Sequence, residues 1–164
     1  DDHSVVFREA KTTPTKIGQF VTIWSRPVPG GEIAPLDSRD NVDFVVINTS
    51  DEKNKGQFVF DRDVLIKKGV MSLDGVGGKR AIRIYPPWTQ PVANDAIRTQ
   101  KWQGLFFFRI EEDGTADTEQ VRRLFKCAPE LDSALDSDKT ADNKRVREAS
   151  GTDDNSPERH RARC

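Results

Sequence analysis

Phe7-Arg-Glu-Ala-Lys-Thr-Thr-Pro-Thr-Lys-Ile-Gly-Gln-Phe-Val-Thr-Ile-Trp24 holds two strand-like runs around a turn rich in threonine, proline and lysine. The first run, residues 5–11, alternates. Val5, Phe7, Glu9 and Lys11 fall on one face, and Val6, Arg8 and Ala10 on the other. The second, residues 17–26, is joined to it by Thr12-Thr-Pro-Thr-Lys16. Glu9 and Lys11 stand where a half-buried strand would usually carry apolar side chains, so the pattern raises the fold and the chemistry together.

Downstream, residues 27–40 are a Pro/Gly/Ser/Asp-rich loop, and residues 42–48 are nearly all apolar, as in a strand covered on both faces. Lys53-Asn-Lys-Gly56 turns the chain into a short strand, 57–60, that can form a hairpin with 42–48. Asp61 reads as the N-cap of a helix that carries Val64 and Leu65 inward and stops at Gly69. A strand follows at 80–85, halted by Pro86-Pro87. Asn94 then caps a helix expected to run to about 108, with Gly104 as its weak point, and 118–126 reads as a short amphipathic helix. This order places the chain in the α/β class, bordering on α+β, with a mixed central sheet of about five strands flanked by helices.

The length of 164 residues suits one domain with a core of its own. Residues 1–127 are expected to form it. Beyond them the apolar residues are sparse and aperiodic, and 128–164 reads as a disordered, charged C-terminal tail. Through Ile110 there are 16 Lys+Arg against 13 Asp+Glu, a mildly basic front; the remainder is mildly acidic, and the total is −1. Neither half implies nucleic acid from charge alone. Cys127 and Cys164, the two cysteines, form neither a disulfide framework nor a metal-ligand spacing, which points to a reducing, cytoplasmic setting. No apolar run is long enough for a membrane span, and no membrane partner is expected. The chain opens on Asp1 and enters a strand within a few residues, so a preceding N-terminal element is expected to be missing.

Two constellations carry chemistry. In Glu9-Ala-Lys11 a carboxylate and an ammonium two apart on a strand point the same way. With a second carboxylate from Asp43, Glu9 would hold a divalent cation such as Mg²⁺ while Lys11 stabilises developing charge, as in phosphodiester cleavage. The plainer alternative is an ion pair where a strand end reaches solvent. The second constellation is basic: Lys11, Lys16, Lys79, Arg80, Arg83, Arg98 and Lys101, with Gln19 and Gln100 nearby. Arg83 shares a strand face with Tyr85, and could join Lys11 in holding a phosphate-sized anion; scattered solvated cations are the alternative. Gly75-Val-Gly-Gly-Lys-Arg80 is no phosphate loop, because a strand rather than a helix follows its lysine. Trp24, Trp88 and Trp102 fit either packing or base stacking. His3 and His160 lie near the two ends and suggest neither a triad nor a metal site.

Four blocks then carry a resemblance. Ala10-Lys-Thr-Thr-Pro-Thr-Lys-Ile-Gly-Gln-Phe-Val-Thr-Ile-Trp24, Gly56-Gln-Phe-Val-Phe60 with Leu65-Ile-Lys-Lys-Gly69, Gly78-Lys-Arg-Ala-Ile-Arg-Ile-Tyr-Pro-Pro-Trp88, and Thr99-Gln-Lys-Trp-Gln103 together resemble the MepB-like family. The resemblance covers residues 5–110. It implies a mostly bacterial protein named for a multidrug resistance locus, with a restriction-endonuclease-like fold and no assigned reaction. That fold begins with a helix, which agrees with the expectation that an N-terminal helix is missing. The matching positions, Lys11, Lys16, Gln19, Gln57, Lys79, Arg83, Tyr85, Trp88, Gln100 and Trp102, imply a polar, basic pocket for a nucleic acid or phosphorylated ligand. A metal-dependent nuclease built on Glu9, Lys11 and Asp43 and a non-catalytic accessory protein are the alternatives.

Overall fold

The structure, a computed structural model, describes residues 2–126. In chain order these residues build β1 (Val5–Glu9), β2 (Lys11–Thr12), β3 (Gln19–Thr22), β4 (Trp24–Ser25), β5 (Ala34–Pro35), β6 (Phe44–Ser50) and β7 (Lys55–Asp61). Then come α1 (Arg62–Lys67), β8 (Ala81–Ile84), α2 (Asn94–Gln103), a 3-10 turn at Gly104–Phe106, β9 (Phe107–Arg109) and α3 (Thr118–Leu124). Residues up to Phe125 belong to one compact unit. The tail expected at 128–164 lies outside the described residues.

The fold is mixed α+β with mostly antiparallel pairing, on the α+β border of the expected class, and its strands lie in more than one sheet instead of a single central one of about five. The strands divide into a four-stranded sheet in the order β1-β6-β7-β9, a three-stranded sheet β2-β3-β8, and the two-stranded pair β4-β5. Among the described strands only β1 and β6 run parallel; β6-β7, β7-β9, β2-β3, β3-β8 and β4-β5 are antiparallel. The expected hairpin between the apolar run and the strand after it is therefore present, as β6-β7.

The opening stretch decides this division. The run expected at 5–11 is not one strand: β1 pairs with β6 through Glu9, the Ala10 N–H donates to the Asn48 carbonyl at 2.9 Å, and the chain then changes sheets. From Lys11 it pairs with Phe20 instead. Arg8 ties the two sheets at this corner, donating to the Thr22 and Trp24 carbonyls at 3.1 and 3.2 Å. An arginine faces the core side here because its guanidinium reaches carbonyl acceptors at the end of its aliphatic stem.

β6 is apolar on both faces because each face supports a separate core. Val45 and Ile47 join Val21, Ile23, Phe58, Phe60, Leu65 and Ile84 between the two larger sheets. Phe44 and Val46 join Val59, Phe108 and Leu124 on the side that α3 covers. The helices are short; Asp61 and Asp117 cap α1 and α3, but α2 follows Ala93 with no side-chain cap, so the cap expected from Asn94, which is itself the first helical residue, is not formed. The Asp61 carboxylate accepts from the Val64 N–H at 2.9 Å, and Gly69 at φ +74° ends the turn after α1.

The helix expected over 94–108 ends at Gln103. Phe107-Phe-Arg109 leaves it to become the edge strand β9, pairing with Gly56, Gln57 and Phe58 of β7. Aromatic residues are good strand formers, and Gly56 opens the space they need. A Cβ there would come within 2.3 Å of the Phe107 ring.

Candidate functional site

The three-stranded sheet has an inner and an outer face. Gln19 and Val21 point into the core, so Phe20 and Thr22, alternating with them, point outward. Register carries the outward face across the sheet: Lys11 pairs with Phe20 and Phe20 with Arg83, one row of cation, ring and cation. The neighbouring row holds Tyr85, whose ring lies against Gly18; a Cβ on Gly18 would meet it at 2.7 Å. Arg83 is held in place by the β2-β3 turn, donating to the Thr13 hydroxyl at 3.0 Å and to the Gly18 carbonyl at 3.2 Å. The Thr/Pro/Lys turn thus positions a cation.

At the free edge of β8 a cavity of about 420 Å³ opens between this strand, the end of α1 and α2. Lys68, Lys79 and Arg83 supply its charge, and Tyr85 and Trp102 its rings; among the described residues no carboxylate lines it. Lys68 Nζ sits 5.2 Å from the Trp102 ring centroid, a cation-π contact. Gln103, buried at 1% exposure, closes the back. Its carbonyl oxygen accepts from the Tyr85 N–H at 2.9 Å, and its amide donates to the Arg83 carbonyl at 3.2 Å. One side chain does for β8 what a further strand would do, and so fixes α2 against it. Chemically, the cavity offers charge and ring faces for an anion attached to a planar group.

Several expected site residues hold the fold instead. Gln19 is buried, donating to the Thr12 hydroxyl and the Ser50 carbonyl at 3.0 Å each and accepting from Thr49. Gln57 donates to Asn48 at 2.6 Å. Gln100 donates to the Pro86 and Thr89 carbonyls at 2.9 and 2.7 Å, which shapes the loop after β8. Trp88 packs edge-on to Phe107, with Arg109 over its ring. Lys16 stands exposed in the β2-β3 turn. Trp102 both lines the cavity and packs on Phe60 and Phe106.

Glu9, Lys11 and Asp43 do not assemble. Glu9 lies opposite Asn48, whose amide reaches its carboxylate at 3.4 Å. Asp43 lies at the other end of β6, accepting from the Ser4 N–H at 2.8 Å with His3 Nδ1 3.8 Å away. Five residues of strand separate the two carboxylates, roughly 16 Å at about 3.3 Å per residue. A cation needs its oxygens within about 2.6 Å, so these residues do not fit a shared Mg²⁺. Lys11 has crossed to the outward face of the other sheet. Among the described residues no cluster of three His, Cys, Asp or Glu side chains could hold a metal.

The shifted acids are structural too. Arg39, first, and then the Ser72 hydroxyl hold the Asp37 carboxyl far below the usual carboxylate range. Asp37 accepts from Arg39 Nε and Ser72 Oγ at 2.6 Å each and from the Gly75 N–H at 2.7 Å, clasping the loops before β6 and before β8.

With Lys11, Arg83, Tyr85 and Trp102 placed, the sequence blocks they belong to can be matched: the family model described as MepB-like fits residues 1–109. The chain belongs to the MepB-like family. The crystal structure of MepB is similar at 37% identity and a TM-score of 0.59, over 63% of this chain and 68% of that one. No curated protein matches the chain. In this MepB-like chain, sequence reasoning missed Phe20 and Lys68. Phe20 sits inside the recognised first block, and its signal was the alternation with buried Gln19 and Val21. Lys68 reads as a helix-ending lysine, and only the packing of α1 beside α2 brings it to Trp102. Among the described residues of the MepB-like chain no helix is long and apolar enough to cross a membrane.

Proposed function

We propose that the protein is a binding module for a nucleic acid or a phosphorylated ligand, held on a restriction-endonuclease-like scaffold through the basic site at β8. The observation that carries this reading is the cavity in which Lys68, Lys79 and Arg83 meet Tyr85 and Trp102 without a carboxylate. With three cationic residues and no carboxylate among its lining, the cavity attracts an anion. The parallel β1-β6 pair beside the β6-β7 hairpin, followed by α1, supports the scaffold assignment.

Anion binding by several Lys and Arg side chains releases counterions, so affinity falls steeply with salt. Fluorescence anisotropy with labelled DNA and RNA oligonucleotides across a salt series is the test. Binding should weaken as salt rises, and Arg83→Ala should reduce it by roughly tenfold, a loss of about 1.4 kcal/mol. Salt-insensitive binding, or binding unchanged in that variant, rejects the site.

A further inference from the structure

We infer that the free edge of β1, with the groove beside it, docks an extended, acidic peptide segment, which joins the four-stranded sheet as a further strand. The site is separate from the basic cavity at β8 and stands without it. β1 is the end strand of its sheet. The Ala10 N–H donates to the Asn48 carbonyl, and the Ser4 carbonyl accepts from the Phe44 N–H at 3.2 Å, so the even-numbered residues of this run bond β6. In a parallel pair the residues between them turn their backbone groups the other way. Val5, Phe7 and Glu9 therefore present N–H and C=O groups along the free edge. Among the described residues only the Phe7 carbonyl has a partner there, the Arg8 guanidinium at 2.9 Å. Two other edges are closed: Gln103 bonds β8, and Gln120 donates to the Phe107 carbonyl of β9 at 3.0 Å. Open strand edges are templates for another strand, and proteins usually blunt them. Here the open edge carries Phe7, 62% exposed.

The groove selects the occupant. It measures about 680 Å³ and runs between β1 and a wall that includes Trp24, Arg26, Leu36 and Val42. Arg8 meets the Phe7, Thr22 and Trp24 carbonyls. Arg26 meets the Gly31 carbonyl and lies 5.6 Å from the Trp24 ring centroid. Among the described residues neither guanidinium pairs with a carboxylate. Asp40, the one acid in the lining, accepts from the Asp37 N–H at 2.8 Å. An incoming strand gains main-chain bonds along β1, sets alternate side chains in the groove and brings carboxylates to the two arginines. A second copy of β1, paired antiparallel, would carry its own Val6 and Arg8 on the groove face, adding cations instead of countering them.

The probe is a labelled eight-residue peptide that alternates valine with glutamate, titrated by anisotropy against the full chain. It should bind, and the same peptide with glutamine for glutamate should bind at least fivefold more weakly. Arg26→Glu, a change at an exposed side chain, should weaken binding by about tenfold, while Arg83→Ala should change it by less than about twofold. Phe7→Pro, tolerated where the lost N–H faces solvent, should abolish it. Amide exchange at Phe7 and Glu9 should slow by more than about tenfold with the peptide bound. No binding, or binding that follows Arg83 instead of Arg26, overturns the inference; the second result would move the peptide to the basic cavity. Amides at Phe7 and Glu9 already protected without peptide, by a second copy or by another part of the chain, overturn it as well.

Discussion

At the scale of single residues, the chain separates side chains that hold the fold from those left over for a ligand. Asp37 belongs to the first group. Its carboxylate takes donors from Arg39, Ser72 and the Gly75 backbone, and these hold its pKa well below an ordinary aspartate's. A group whose pKa is depressed in the folded state contributes stability above its unfolded value, about 3.9 for Asp, and that contribution is lost as pH falls below it. Thermal unfolding followed from pH 7 to pH 3 should show the midpoint dropping below about pH 4. Asp37→Asn should lower the midpoint at neutral pH and flatten the acid-side decline. Some decline should persist, because Asp51 and Asp113 are also lowered, chiefly by the Lys53 N–H and by Thr115 respectively. Parallel pH curves for the two proteins would show that the clasp contributes nothing. The three carboxamides expected at a site fall in the group that holds the fold, and Gln103 joins them. Gln19, Gln57 and Gln100 are committed to partners within the fold, and Gln103 is committed to β8.

At the scale of elements, Gln103 shows how a side chain can finish a sheet. Among the described residues β8 has a strand partner on one edge only, β3. Gln103 supplies an acceptor and a donor to Tyr85 and Arg83 on its other edge. Gln103→Leu keeps the volume but strands a buried N–H and a carbonyl, which costs about 1–3 kcal/mol. Urea denaturation measures this, and amide exchange at Tyr85 should accelerate with it. A loss under about 0.5 kcal/mol would mean that water replaces the amide freely. Elements with a strong local period were legible from sequence: the apolar run of β6, the Asp61 cap of α1, and β8 before its prolines. The breaks were not. Alternation from Val5 to Lys11 is unbroken in sequence, yet β1 stops at Glu9, because Ala10 still bonds β6 while Lys11 bonds β3. That choice is made by tertiary pairing, which a one-strand pattern does not contain. The same holds for β9, where helical spacing from Ala96 to Phe106 loses to the open edge of β7 and the gap at Gly56.

At the scale of the whole molecule, the question is how a nearly neutral chain could hold a polyanion. The answer lies in where its charges sit. The β2-β3-β8 sheet is built from acid-free stretches, while Asp51, Glu52, Glu111 and Glu112 gather with Lys53 and Lys55 beside the β6-β7 turn. Sequence counting recorded a front half with a small positive excess; it could not show the two populations separating in space, because residues 51–55 lie between the basic blocks in the chain. At physiological ionic strength the screening length is about 8 Å, so a cation acts mainly on phosphates close to it. Two charge reversals with the same effect on net charge should therefore behave differently. Lys79→Glu, at the cavity, should weaken binding of a labelled oligonucleotide by more than about tenfold and make the salt dependence shallower. Lys53→Glu, among the acids, should change affinity by less than about twofold. If both reversals weakened binding equally, attraction would follow total charge, and the site at β8 would have no special claim on the ligand.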